Sequence, residues 1–241
     1  MTILLISVFI ICLYFRFPIA FSLGLSCLIY FIFEGTPLVV VPMKMYAGID
    51  VFVLLSIPGF IIAGNLMNHG GLTDRIVKFC NHLLGHVRGG LSYVNISASM
   101  LFAGISGTAI SDTASLGSVM IPAMKKEGYD SDFSCAVTAA SSTVGPIIPP
   151  SLPMIIAATL SGLSVGKLFL AGAIPGLLLG LGLMLVAYLI AKKKKYPKHH
   201  RSSLSQILKS FTNTFWALLM TFIILFGIVG GVFTPTEASV I

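Results

Sequence analysis

Long apolar runs separated by short polar or charged breaks organise this chain. They occupy roughly residues 1–15, 18–33, 50–68, 89–124, 133–161, 168–191 and 211–232. A helix needs about 20 apolar residues to cross a hydrocarbon layer of about 30 Å, so the pattern predicts an all-α polytopic membrane protein. The first two runs are short, since fifteen helical residues rise only about 22 Å. Arg16-Phe17-Pro18 separates them. A tight helical hairpin is expected there, with one kinked helix as the alternative, because proline suits the first turn of a new helix.

Composition agrees with the pattern. Hydrophobic residues make up 56% of the 241 and charged residues 10%, against about 25% charged in an average soluble domain. The net charge of +7 is unevenly placed, with seven of the fifteen Lys and Arg between Lys192 and Lys209. That is a topology signal rather than a nucleic-acid patch, and no basic stripe with interleaved aromatics is present to bind nucleic acid. If Arg16 is cytoplasmic, run 18–33 exits and run 50–68 returns, so Arg75, Lys78 and Arg88 fall inside. If run 89–124 enters and comes back on the same side, Lys125, Lys126 and the Lys192–Lys209 stretch are inside too. Thirteen of fifteen cations then share one face, leaving Lys44 and Lys167 outside, with the N-terminus outside.

Run 89–124 is basic at both ends, yet thirty-six residues cannot make two crossings of about 20 each. It is expected to be a re-entrant helical hairpin. Its centre, Gly104-Ile-Ser-Gly-Thr-Ala-Ile-Ser-Asp112, collects helix breakers and caps and holds the run's one carboxylate. Run 133–161 carries a second interruption, Ser141-Ser-Thr-Val-Gly-Pro-Ile-Ile-Pro-Pro-Ser151. Three prolines in five residues cannot continue a straight helix, so a helix broken near its middle is expected. Irregular backbone at membrane depth is tolerated where it is buried in protein or faces a wet cavity. Half-helix ends there can face an anion while unwound carbonyls coordinate a cation.

Other features have plainer readings. Gly71 to His86 places Leu72, Ile76, Phe79 and Leu83 beside Asp74, Arg75, Lys78 and Asn81, an interfacial helix by its spacing. Thr36 to Asp50 is a weaker case. Cys12, Cys27, Cys80 and Cys135 lack metal or redox spacing and read as apolar packing. No basic residue precedes Arg16 and no small-x-small cleavage site is evident, so 1–15 reads as a retained helix rather than a removed signal peptide. Gly172, Gly176 and Gly180 recur every four residues, as close helix packing requires. The lysines 192–195 read as a topology anchor, with lipid-headgroup contact second.

Two sharper chemistries were weighed. Gly104-Ile-Ser-Gly107 matches the GxSG pattern of rhomboid proteases, but the histidines at 69, 82, 86, 199 and 200 all fall outside the apolar spans. A serine nucleophile without a base does not act, so no catalytic residue is assigned and an enzyme is not expected. Asp112 suits either a cap for the second hairpin arm or the charge of a cation site. The hydroxyls of Ser106, Thr108, Ser111, Ser142 and Thr143 could serve helix packing alone, yet they cluster at the two backbone breaks.

Four segments carry a family resemblance: Gly104-Ile-Ser-Gly-Thr-Ala-Ile-Ser-Asp-Thr-Ala-Ser-Leu-Gly117, Ile121-Pro-Ala-Met124, Ala139-Ala-Ser-Ser-Thr-Val-Gly-Pro-Ile-Ile-Pro-Pro-Ser151 and Gly231-Val-Phe-Thr-Pro-Thr-Glu-Ala-Ser239. The chain resembles the large membrane subunit of TRAP transporters, the tripartite ATP-independent periplasmic family of four-carbon dicarboxylate and sialic acid uptake. The resemblance implies a sodium-driven secondary importer in the bacterial inner membrane, taking a small carboxylate from a periplasmic solute-binding protein and working with a small four-helix membrane subunit. It implies an elevator motion of a transport domain past a scaffold. By position, Ser106, Gly107, Thr108 and Asp112, with backbone near Thr143, Gly145 and Pro146, would hold sodium. Ser111, Thr113, Ser142, Pro150 and Ser151 would lie nearest the substrate.

Family members are built from two inverted repeats and are longer, so the chain reads as the N-terminal half. Thr234-Pro-Thr-Glu-Ala-Ser then begins a second repeat much as Phe17-Pro-Ile-Ala-Phe-Ser follows the first helix. The expected organisation is scaffold helices with interfacial arms over 1–87, transport elements over 88–165 (hairpin 89–124, broken helix 133–161), a membrane helix over 166–191, a basic cytoplasmic linker over 192–210, and a helix plus the start of the second repeat over 211–241. Alternatives are a sodium/dicarboxylate elevator symporter that needs no binding protein and a membrane scaffold that transports nothing.

Overall fold

The computed structural model describes residues 2–198 and 200–240. Met1, His199, one of the five histidines weighed above, and Ile241 lie outside the described residues. Every regular element among the described residues is helical. The chain divides into two compact units, Met1–Val51 and Phe52–Ile241.

The first unit holds α1 (Thr2–Tyr14), α2 (Ile19–Glu34) and α3 (Val40–Ile49). α1 and α2 pack on each other. Between them Arg16 adopts φ 61° and Pro18 stands immediately before α2, so the hairpin forms and the single kinked helix does not. Proline has no N–H to leave unpaired at that position. Ser26 Oγ donates to the Ser22 carbonyl at 2.6 Å and Ser22 Oγ to the Pro18 carbonyl at 3.2 Å, so two buried hydroxyls are satisfied within their own helix. α3 exists where a weak amphipathic helix was expected but buries no residue.

The second unit opens with a 3-10 turn, Phe52–Leu55, and continues through α4 (Ser56–His69), α5 (Leu72–Leu84), α6 (Gly90–Ser106), α7 (Ala109–Lys126), α8 (Ser131–Ser142), α9 (Leu152–Ser161), α10 (Val165–Lys194), α11 (Leu204–Val229) and α12 (Pro235–Ala238). α6 is central and packs against α4, α5, α7, α8 and α10. Val94, Ile96, Ala98, Phe102 and Ala103 are all fully buried on it. Its polar Ser92, Asn95 and Ser99 are buried as well, so the helix is enclosed on all sides. Around it lie Leu116, Met120 and Met124 of α7, Val137 of α8, Ile76 and Cys80 of α5, and Ala187 and Ala191 of α10. A second core joins Phe60, Leu152, Ile155, Phe169, Ile224 and Ile228.

Some expectations change. α5 buries Thr73, Ile76 and Cys80 against α6 and α11, while Leu83 of its expected apolar face is 45% exposed. Leu72, Ile76 and Phe79 of the face read from spacing do pack into the core, and the buried stripe departs from it at Leu83. Cys12 and Cys80 are buried as apolar packing requires, whereas Cys135 is exposed. α10 runs on through Lys194 and α11 starts at Leu204, capped by Ser203 and Gln206, so the helix-free linker is shorter than 192–210. Lysines in a last turn complement the helix dipole, and for that reason the helix continues into them.

Two helices among the described residues, Phe52–His69 and Val165–Lys194, are long and apolar enough to cross a membrane. A third is available if Leu204–Trp216 and Leu218–Val229, bent by 49°, act as one span. One side of α10 leaves Ile174, Leu178 and Leu185 more than 60% exposed. The other buries Gly172, Gly176, Gly180, Ala187 and Ala191. Large apolar side chains thus share the exposed side of the helix and small residues the packed side.

Candidate functional site

The first interruption is a two-residue connection. α6 ends at Ser106, Gly107 turns with φ +60°, and Thr108 caps α7 by accepting from the Ser111 N–H at 3.4 Å. Ser106 Oγ donates to the Thr108 carbonyl at 3.2 Å. α6 and α7 pack on each other. The second interruption runs from Thr143 to Ser151, between α8 and α9. Its early amides fold back in turns, Gly145 N–H to the Ser142 carbonyl at 3.1 Å and Ile148 N–H to the Val144 carbonyl at 2.9 Å. Ser151 closes it: its Oγ donates to the Pro146 carbonyl at 2.6 Å and accepts from the Met154 N–H at 3.4 Å, capping α9.

The two interruptions meet. A Cβ added to Gly107 would stand 2.9 Å from the Pro150 carbonyl oxygen and 3.2 Å from the Leu152 nitrogen. One added to Gly145 would stand 3.5 Å from the Thr108 carbonyl. Backbone therefore lies on backbone at both points, and at Gly107 the positive φ and the 2.9 Å approach leave no room for a side chain. Ser106, Thr108 and Ser111 line a cavity of about 80 Å³ with Phe60, Gly64 and Asn65 of α4. That volume admits water or a small ion, but small-molecule sites span roughly 300–1,000 Å³.

One turn into α7, Asp112 is fully buried, and neither carboxylate oxygen has a hydrogen-bond partner. The helix cap weighed for it belongs to Thr108 instead. The hydroxyls of Ser142 and Ser99 adjoin the carboxylate. Both are oriented elsewhere, Ser142 Oγ donating to the Thr138 carbonyl at 2.9 Å and Ser99 Oγ to Ser141 Oγ at 2.9 Å. The ion pair found among the described residues, Lys194 with Asp130, lies elsewhere. A buried carboxylate without a partner is costly, and either a proton or a bound cation would relieve that cost.

Other expected residues divide by exposure. Ser142, Gly145, Pro150 and Ser151 are buried and Pro146 is half-buried, all in or beside the second interruption. Thr113 and Thr143 are exposed, their hydroxyls donating to their own helices at 2.8 and 2.7 Å. Of the expected residues, Ser106, Thr108 and Ser111 line the cavity, while Gly107, Asp112, Thr113, Thr143 and the residues of the second interruption lie outside its lining. Sequence reasoning missed a buried polar seam between α6 and α8. Asn95 Nδ2 donates to Thr138 Oγ1 at 2.7 Å, Thr138 Oγ1 to the Ser134 carbonyl at 2.8 Å, and Ser99 meets Ser141. The signal was there in Ser92, Asn95 and Ser99, and in Ser134, Thr138 and Ser141, polar positions three and four apart on two helices. The α4 wall of the cavity had no such signal. As for a protease, Ser106 bonds to Thr108, and no histidine bonds to it among the described residues.

Comparison with known proteins identifies the family. The family model described as "Tripartite ATP-independent periplasmic transporter, DctM component" matches residues 6–241. A sialic acid TRAP transporter permease protein of Haemophilus influenzae is 43% identical over 235 residues, 97% of this chain and 38% of that protein. A sialic acid TRAP transporter large permease protein of Vibrio cholerae is 44% identical over 93% of this chain and 53% of its own length. A C4-dicarboxylate TRAP transporter large permease protein of Pseudomonas aeruginosa is 42% identical over 91% and 52%. The chain thus spans about half the length of most of the curated relatives it matches, and the relatives named here are transporter permease components, not enzymes. With both interruptions inside the matched region, the chain belongs to the DctM family, the large permease component of the tripartite ATP-independent periplasmic transporters.

Proposed function

We propose that this chain supplies one half of the permease of a sodium-driven secondary importer of small carboxylates in the bacterial inner membrane. Its companions in that reading are a small membrane subunit and a periplasmic solute-binding protein. The observation that carries it is Asp112, a fully buried carboxylate without a hydrogen-bond partner, set where two helix interruptions meet. The donors around it are hard oxygens, which suit sodium better than a transition metal. Asp112 supplies the charge. Thr108, with Ser106 and Gly107 at the tip, and the backbone of Thr143, Gly145 and Pro146 supply neutral oxygens. Reorienting the Ser142 and Ser99 hydroxyls would bring two more donors or ligands to the carboxylate.

The substrate reading rests on two helix N-termini. α7 begins behind Thr108 and α9 behind Ser151, one from each interruption. Helix N-termini favour anions, and relatives are named for sialic acid, C4-dicarboxylate and 2,3-diketo-L-gulonate, all carboxylates. Ser111, Thr113, Ser142, Pro150 and Ser151 would meet that carboxylate. The small cavity here and the matched span of about half a relative both fit a site completed by further chain. α6, at 17 residues, rises about 26 Å, short of a full crossing. That supports reading α6–α7 as a re-entrant hairpin carried by a transport domain in an elevator motion. The basic ends at Arg88 and Lys125–Lys126 would put its base in the cytoplasm and the N-terminus of the chain in the periplasm.

The test is uptake of labelled sialic acid or C4-dicarboxylate into proteoliposomes holding the intact permease and its companions. Asp112→Asn should abolish stimulation by an inward sodium gradient. Unchanged sodium stimulation would remove Asp112 from the ion site. Uptake that persists without the binding protein would favour a simple sodium/dicarboxylate symporter.

A further inference from the structure

α5 and α11 pack against each other, and between them opens a cavity of about 350 Å³ lined by Arg75, Lys78, Ser210 and Asn213. Arg75 and Lys78 stand three apart on one helix, Ser210 and Asn213 three apart on the other, so each pair shares a face. Two interhelical hydrogen bonds hold the walls in place. Thr214 Oγ1 donates to the Arg75 carbonyl at 3.3 Å, and His82 Nδ1 lies 2.6 Å from Ser210 Oγ. No carboxylate lies within 4.0 Å of Arg75 or Lys78 among the described residues. Asp74 lines a different cavity, with Asn68, Thr73 and Ser115. Guanidinium, ammonium, amide and hydroxyl groups together present a set rich in donors, two of them cationic. Such a set suits the oxygens of a phosphate.

The stretch of α11 that carries Ser210 and Asn213 also exposes apolar and aromatic side chains. Phe211 and Phe215 are each 38% exposed beside Ser210 and Asn213, and Trp216, the one tryptophan of the chain, is 75% exposed on the next turn. Leu208 is 65% exposed on the preceding one. Exposed tryptophan beside cations marks the boundary between headgroups and hydrocarbon. A free phosphate would use only the basic pocket and leave the exposed rings of α11 without a role.

We propose that α5 and α11 form a headgroup site for an anionic phospholipid, with Arg75 and Lys78 on its phosphate and the acyl chains along Phe211, Phe215 and Trp216. Basic pockets between helices on the cytoplasmic side bind such headgroups, and the charge distribution puts Arg75 and Lys78 on the same side as Lys192–Lys209. The site lies apart from the helix interruptions and does not depend on the transport reading.

Native mass spectrometry of the intact protein, titrated with phosphatidylglycerol, phosphatidylcholine or inorganic phosphate, tests it. Phosphatidylglycerol should be retained selectively. Each cation removed should weaken retention roughly fivefold, so Arg75→Gln with Lys78→Gln should weaken it roughly twenty-five-fold. Asn213→Leu, which keeps every charge, should weaken it measurably as well. The proposal is overturned if the double variant retains phosphatidylglycerol like the parent. It is equally overturned if inorganic phosphate displaces the lipid, if phosphatidylcholine binds as well, or if Lys192→Gln with Lys193→Gln has the same effect.

Discussion

At the scale of single residues, the contact between the two interruptions depends on Gly107. Its φ of +60° is unfavourable for any side chain, costing roughly 1–2 kcal/mol, and a Cβ would also press on the Pro150 carbonyl. Gly107→Ala should therefore lower the melting temperature in detergent and displace the loop, and parental stability would show that the two backbones are not in contact. Thr138→Val should leave the Asn95 amide with only the Met124 sulfur, 3.8 Å away. Orphaning a buried donor costs about 1–3 kcal/mol in general, but hydrogen bonds between membrane helices average about 0.6 kcal/mol. A loss near 1 kcal/mol is expected, with Thr138→Ser close to the parent, read from unfolding midpoints. Ser106, Thr108 and Asp112 were legible as a cluster because polar groups are conspicuous in an apolar run. That Thr108 rather than Asp112 caps α7 was not, since both types cap helices and only backbone geometry separates them.

Among elements, α10 carries the second interruption on its glycine face. A Cβ on Gly172 would stand 2.6 Å from the Ile147 carbonyl oxygen and 2.2 Å from Met154 Cε. One on Gly180 would meet the Met100 sulfur at 2.3 Å, the middle of a flexible side chain. Backbone cannot yield as methionine can. Gly172→Ala should cost about 1–3 kcal/mol, and Gly180→Ala clearly less, by thermal melting of the two variants side by side. Equal losses would mean that α10 does not support the loop. The four-residue period announced close packing, and packing is what the helix does. Its partner, a proline loop rather than a second straight helix, could not be read from α10, because a small-residue stripe fits any close backbone. The same holds for α5, whose amphipathic spacing was evident while its neighbours, α6 and α11, decided which face was buried.

Across the second unit, Asp130, Lys194 and Tyr196 tie the start of α8 to the end of α10. Lys194 Nζ lies 2.8 Å from Asp130 Oδ2, Tyr196 donates to the same oxygen at 3.0 Å, and the Tyr196 ring stacks on Tyr129 with centroids 4.4 Å apart. The Lys194 ammonium, then the Tyr196 hydroxyl, holds the Asp130 carboxyl below its usual range. A depressed carboxyl adds stability above the unfolded value of about 3.9 and loses it as pH falls through the lowered folded value. Melting should be insensitive to this pair near neutrality and should fall on strong acidification. Asp130→Asn should remove that acid-dependent part while changing neutral stability little, since both charges are about half exposed and screened by solvent.

The sequence by itself determined the all-helical membrane class, the positions of both interruptions and the family, because each follows from local composition, periodicity or motif. Helix content needs only neighbours within a few residues, and breaks need only glycine and proline. Only the tertiary structure decided that Gly107 seats on Pro150, that Asp112 is sealed without a partner beside Ser142 and Ser99, and that α4 closes the cavity over the tip. Those contacts join residues on different segments, 13 positions apart for Ser99 and Asp112 and 43 for Gly107 and Pro150. They depend on how α6, α7, α8 and α10 approach one another, a matter of side-chain volume and backbone clearance that no single segment encodes.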